Sequence, residues 1–129
     1  YLAASYLDLD WHTLKEPVEQ DVTAFENASL GRLGLIPEIV SRYRSTYFRH
    51  IFSGGYDAGY FSYMWAEVLD KDAFQAFKDS GDIFNPALAA SFRENILSKG
   101  GSEDPMTLYV RFRGSEPRIE PLLIKRGLI

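Results

Sequence analysis

His50, Gly54, Gly55, Tyr56, Tyr60 and Tyr63 fall in one short run, His-Ile-Phe-Ser-Gly-Gly-Tyr-Asp-Ala-Gly-Tyr-Phe-Ser-Tyr-Met-Trp-Ala-Glu, from position 50 to 67. Imidazole and phenol share one chemistry: both donate hydrogen bonds near neutral pH, and the phenol keeps its proton there. The glycine pair makes the lead-in compliant, because glycine enters left-handed backbone regions at little steric cost. The second half of the run reads as a helix start, with Asp57 able to cap it. On a helix, Tyr60 and Tyr63 share a face and Tyr56 sits at its mouth. Aromatic residues at this spacing also suit a plain core helix. A core helix has no need of a flexible lead-in, so the glycine pair favours a site.

The rest of the chain must position that run. With 129 residues it fits one domain or a piece of a larger one. A hydrophobic content of 46% supports a packed core, and 25% charged residues is ordinary for a soluble protein. The net charge of −4 and the lack of a basic cluster beyond Arg42, Arg44 and Arg49 argue against nucleic acid as a partner. Cysteine is absent, which excludes disulfides and thiolate metal sites and leaves the compartment unread. No apolar run approaches the roughly 20 residues of a membrane span. Tyr1 is not a methionine, and residues 1–7 already read as helix without a cap, so the chain is expected to be cut from something longer.

Periodicity and punctuation give an all-α chain. A first helix runs to about residue 14, with Leu2, Tyr6 and Leu9 on one stripe. Asp21 caps a second helix to about Leu30, with Val22, Phe25 and Leu30 inward. The segment from Ile36 to Phe48 reads equally as a short helix or a loop, with Arg42, Tyr43, Arg44 and Tyr47 partly exposed. A central helix is expected from about Ala58 to Asp79, its apolar side made by Phe61, Met64, Trp65, Val68 and Leu69. Asp70-Lys71-Asp72 could bend it, or Asp72 could cap a fresh turn carrying Phe74 and Phe77. Ser80-Gly81 ends it. Asn85-Pro86 and Asp104-Pro105 are cap-plus-proline starts, and Gly100-Gly101 and Gly114 are stops. Pro117 opens a last short helix with Ile119, Leu122 and Leu123, ended by Gly127.

Other candidates are weaker. His12 and Glu16 have the spacing of a helical metal pair, but Glu16 precedes Pro17, which disfavours helical backbone there. Glu67 lies one turn beyond Tyr63 and could approach the same face or act as an ion-pair partner. No Lys-Ser/Thr follows the glycines, so they make only a weak match to a nucleotide loop.

Taken together, residues 50–67, Gly-Asp-Ile-Phe-Asn-Pro (81–86), Arg-Glu-Asn-Ile-Leu-Ser-Lys-Gly-Gly-Ser-Glu-Asp-Pro-Met (93–106), Phe-Arg-Gly-Ser-Glu-Pro (112–117) and Lys-Arg-Gly-Leu (125–128) resemble the thimet oligopeptidase family of zinc metallopeptidases. The run 113–123 leans towards its bacterial peptidyl-dipeptidase (dipeptidyl carboxypeptidase) branch, with the oligopeptidase A branch a near neighbour. Asp57, Phe61 and Met64 depart from residues frequent in relatives, away from the contact positions.

The resemblance implies the C-terminal part of a larger, mostly helical catalytic domain, with 50–67 as its glycine-rich substrate loop and following helix. It implies zinc in the full-length enzyme, held by a His-Glu-x-x-His helix and a downstream Glu. Neither His12 nor His50 lies in that pattern, so this chain alone is expected to bind no catalytic zinc and to be inactive. By position, His50, Tyr56 and Tyr63 correspond to substrate-contacting residues. Tyr63 is the choice for the oxyanion donor, Tyr56 assists, and His50 bonds the substrate backbone or the tetrahedral intermediate. Tyr60 lines the pocket, and Gly54 and Gly55 let the loop close. The implied partners are a peptide substrate and the remainder of the parent chain; apolar faces built to meet that remainder could make the piece self-associate. Two alternatives stand beside dipeptide release: an endo-acting oligopeptidase and a non-catalytic helical interaction module.

Overall fold

A computed structural model describes residues 1–129 as seven α-helices with short 3₁₀ and π turns and no strand. The all-α expectation holds. None of the helices is long and apolar enough to cross a membrane. The chain divides into two compact units, Tyr1–Met64 and Trp65–Ile129.

In the first unit, α1 (Leu2–His12) and α2 (Val22–Arg32) precede a 3₁₀ turn at Ser45–Tyr47, the short α3 (Arg49–Phe52) and the first residues of α4 (Ser62–Asp79). Asp21 caps α2 as expected, accepting from the Ala24 N–H at 2.9 Å. The inward faces differ from the expected ones. On α1 the buried residues are Ala4, Ser5, Leu7 and Asp8, while Leu2 and Tyr6 are exposed. On α2 the buried residues are Glu26 and Ser29, Val22 is exposed, and Phe25 and Leu30 are half-buried.

The cause is polar and long-range. Glu26 is buried and accepts from the Ser45 N–H at 2.8 Å and the Ser45 hydroxyl at 3.0 Å, with the Arg44 Nε 2.9 Å away. A buried carboxylate survives only with such partners, and these pin the segment that the sequence leaves undecided. That segment is loop and 3₁₀ turn, with Arg42, Arg44 and Tyr47 exposed and Tyr43 half-buried. Below it, Ala4, Phe48, Ile51 and Tyr60 form a core flanked by Trp11, Tyr43 and Tyr63. Burying Phe48 and Ile51 fully stabilises the unit by about 1.5–3 kcal/mol each.

In the second unit, α4 runs unbroken through Asp70-Lys71-Asp72 to Asp79, and Gly81 follows with φ 77°. Asp72 therefore caps no fresh turn. It is fully buried, accepting from the Tyr109 hydroxyl at 2.8 Å and the Arg113 Nε at 3.2 Å. Burial first, then this bond to Asp72, pushes the Tyr109 phenol far above its ordinary range. Asn85 caps α5 (Pro86–Phe92), which passes into a π turn at Arg93–Leu97. Asp104 caps α6 (Pro105–Arg113), and Gly114 closes it at φ 81°. The last helix, α7 (Glu120–Lys125), begins at Glu120 rather than at Pro117. Ala73, Ala76, Tyr109 and Phe112 make the core, with Leu69, Phe77, Phe92 and Ile96 packed on it. Trp65, expected on the apolar side, is exposed, and so is Phe74.

Candidate functional site

The site lies wholly in the first unit and is built on a reversal of the chain. Helix α3 carries His50, and its neighbour Ile51 is buried and anchors it. The chain then doubles back: the Ser53 N–H donates to the Arg49 carbonyl at 2.9 Å and the Tyr56 N–H to the His50 carbonyl at 3.0 Å. Gly54 sits so close to α3 that a Cβ there would meet the His50 Cα and carbonyl oxygen at 2.9 Å. Gly55 has φ 80°, in the left-handed region. Both glycines are thus required by geometry, one by close approach and one by conformation.

Residues after Tyr56 do not start the helix as the sequence suggests. Asp57 caps nothing; 57–61 is a series of turns, Ala58 has φ 53°, and α4 begins at Ser62. The loop's amides are met from α1 instead. The Ala58 and Tyr60 N–H groups each donate to the Asp8 carboxylate, at 2.9 Å. The signal for Asp8 was present: Ala4, Leu7, Asp8 and Trp11 make a helical stripe with one carboxylate in it. Choosing the stripe of Leu2, Tyr6 and Leu9 hides it.

The histidine and the three tyrosines of the run come together. The His50 ring lies 6.3 Å from the Tyr56 ring, 5.6 Å from Tyr60 and 6.3 Å from Tyr63, centre to centre. Tyr56 and Tyr63 stand 4.8 Å apart, and Tyr60 and Tyr63 5.2 Å apart. Their burial is graded. Tyr60 is only 3% exposed and belongs to the core beneath, lining no cavity; His50 and Tyr63 are half-buried, and Tyr56 is the open edge. Tyr43 and Phe48 close the other side of the imidazole, at 5.0 and 6.0 Å. A cleft of about 270 Å³ opens beside Arg49, His50, Gly54 and Tyr56.

Electrostatics keep the phenols neutral. The neighbouring Tyr56 hydroxyl first, and partial desolvation second, push the Tyr63 phenol up to about 12. Burial raises the Tyr60 phenol, opposed by the Arg42 guanidinium beside it. Both therefore hold their protons through the neutral range and remain donors. Of the three arginines, Arg44 is taken by Glu26, Arg42 lies over the Tyr1 and Tyr43 rings, and Arg49 lines the cleft. Glu67 is paired with Arg126 at 2.5 Å.

No metal centre is formed by this chain's residues. His12 turns to Asp8, its Nδ1 2.8 Å from the carboxylate, rather than to Glu16. No group of three or more His, Asp or Glu side chains converges on a point. The donor set does not fit a zinc site.

The Gly54 contact yields a first prediction. Gly54→Ala drives a methyl into the His50 backbone, and such overpacking costs about 1–3 kcal/mol. The displaced atoms carry His50, so its ring shifts against Tyr56 and Tyr63 as well. Melting curves check the loss of stability.

A family model described as Peptidase family M3 matches residues 1–128. The dipeptidyl carboxypeptidases of Salmonella typhimurium and Escherichia coli are each 46% identical over 98% of this chain. Oligopeptidase A of Escherichia coli is 56% identical over 63% of it, covering 12% of that relative. The chain spans 19% of the length of the two dipeptidyl carboxypeptidases. With a donor cluster of this composition inside a match that runs from Tyr1 to Leu128, the chain belongs to peptidase family M3, a family of zinc metallopeptidases.

Proposed function

We propose that this chain is the C-terminal part of the catalytic domain of a peptidase that releases dipeptides from peptide C-termini. Its share of the work is substrate binding and stabilisation of the oxyanion. The observation that carries the reading is the cluster of His50, Tyr56 and Tyr63, with ring centres 4.8–6.3 Å apart, of which His50 and Tyr56 line an open cleft. When a peptide carbonyl becomes tetrahedral, negative charge grows on its oxygen. Donors already aimed at that place stabilise it without reorganising. Tyr63, protonated and half-buried, is the principal donor; Tyr56 assists from the open edge; His50 bonds the substrate backbone. Tyr60 backs the cluster from the core beneath, and Gly54-Gly55 lets the loop close over the peptide.

Zinc would be supplied by residues of the parent outside this chain, where it would act as the family's Lewis acid. The steps assigned to this chain need only its own donors. The remainder of the parent is also the natural cover for the apolar side chains left in water, such as Val40 (75% exposed) and Phe84 (83% exposed).

The kinship to oligopeptidase A supports a second reading, internal cleavage. End products separate the two. With the full-length protein and a peptide of about ten residues, stepwise loss of C-terminal dipeptides is expected, and amidating the C-terminus slows it. Internal fragments with no dipeptide ladder favour the second reading. No cleavage at all rejects both and leaves the non-catalytic module.

A further inference from the structure

We propose that Asp8 is a positioning residue, fixing the loop that sets Tyr56, Tyr60 and Tyr63 against His50. The inference rests on the donor role given above to those side chains. Asp8 is fully buried on α1, yet its carboxylate is spent on backbone far along the chain. Oδ1 accepts from the Ala58 N–H and Oδ2 from the Tyr60 N–H, both at 2.9 Å. The separations are 50 and 52 residues, so neither bond belongs to a helix or a local turn.

What the carboxylate holds is also unfavourable by itself. Ala58 is the one non-glycine residue of the chain with positive φ, at 53°. A residue with a Cβ persists there only when its surroundings over-determine it. Asp8 does so by fixing the amides at Ala58 and Tyr60 in two-pronged fashion. His12 packs beside it, its Nδ1 2.8 Å from the Asp8 carbonyl oxygen and 2.8 Å from Oδ1. The held residue Tyr60 touches His50 at 5.6 Å and Tyr63 at 5.2 Å. A shift at Ala58 therefore reaches all the donors. Local interactions offer no substitute, since Asp57 caps nothing and α4 starts only at Ser62.

The test uses the full-length protein. Asp8→Asn keeps the shape and one acceptor but cannot accept both amides. Expected is a 10- to 100-fold fall in kcat with KM within about twofold, because a displacement of about 1 Å at a positioned donor costs rates of that order. Hydrogen exchange at the Ala58 and Tyr60 amides should speed up while the core amide of Phe112 stays protected. Ala58→Gly added to Asp8→Asn should restore part of kcat, since glycine removes the φ penalty that the carboxylate opposes. If Asp8→Asn does not fold, Ala58→Val takes its place. A β-branched side chain at φ 53° strains the same loop from the other side and should lower kcat with KM held. Wild-type kcat in the folded Asp8→Asn protein, or loss that Ala58→Gly does not relieve at all, overturns the positioning role. Tyr63→Phe is run alongside: if it impairs turnover and Asp8→Asn does not, only this inference falls. If neither does, the donor reading falls with it.

Discussion

Tyr63→Phe in the full-length protein is expected to lower kcat by roughly 10²–10³ while KM stays near the wild-type value. Loss of one oxyanion donor has this size in other enzymes. The split follows from geometry. Tyr63 is half-buried beside Tyr56 and Tyr60, so its ring packing survives the substitution and only the hydroxyl is lost. The phenol, raised to about 12 chiefly by Tyr56, is neutral at every pH where the protein would be assayed. Its donor role should add no ionisation to the pH–rate profile between about 6 and 9. A KM effect with unchanged kcat would instead mark Tyr63 as a ground-state contact.

The second large effect is on stability. Asp72→Ala should destabilise the second unit by about 3–5 kcal/mol, because it leaves the Arg113 guanidinium and the Tyr109 hydroxyl without their shared buried partner. For a unit of this size the melting temperature would fall by more than about 10 °C. Asp72→Asn, which can still accept from Tyr109, should cost less. Calorimetry of both variants decides. If Asp72→Ala melts within about 2 °C of wild type, the network contributes no net stability.

Asp8, Glu26 and Asp72 mark the boundary of what the sequence reveals. Local signals were dependable. Asp21, Asn85 and Asp104 cap the helices they were expected to cap, and Gly81 and Gly114 follow helix ends with positive φ. Such features depend on neighbours within three or four residues, which a linear chain displays directly. The grouping of the proposed site was legible too, because His50, Gly54, Gly55, Tyr56, Tyr60 and Tyr63 all belong to one contiguous run. The architecture beneath them was not. Asp8 meets Ala58, Glu26 meets Ser45 and Asp72 meets Tyr109, each across a separation of 19 to 50 residues. Periodicity assigns a charged residue to the wet face, so it turned α1, α2 and part of α4 the wrong way. Asp57 misled for a related reason. It is a fitting cap by type, but the amides it would have met are taken, Tyr60's by Asp8 and Gly59's by the Tyr56 carbonyl.

The central claim is that Tyr63 acts on the tetrahedral state rather than on the peptide. It is tested most directly by the affinity of a phosphinic peptide, whose tetrahedral oxygens mimic that state, measured beside a plain product dipeptide on wild-type and Tyr63→Phe full-length protein. The account predicts that phosphinate affinity falls by the same factor as kcat/KM, while dipeptide affinity barely changes. Equal losses for both ligands, or none for the phosphinate, would contradict it.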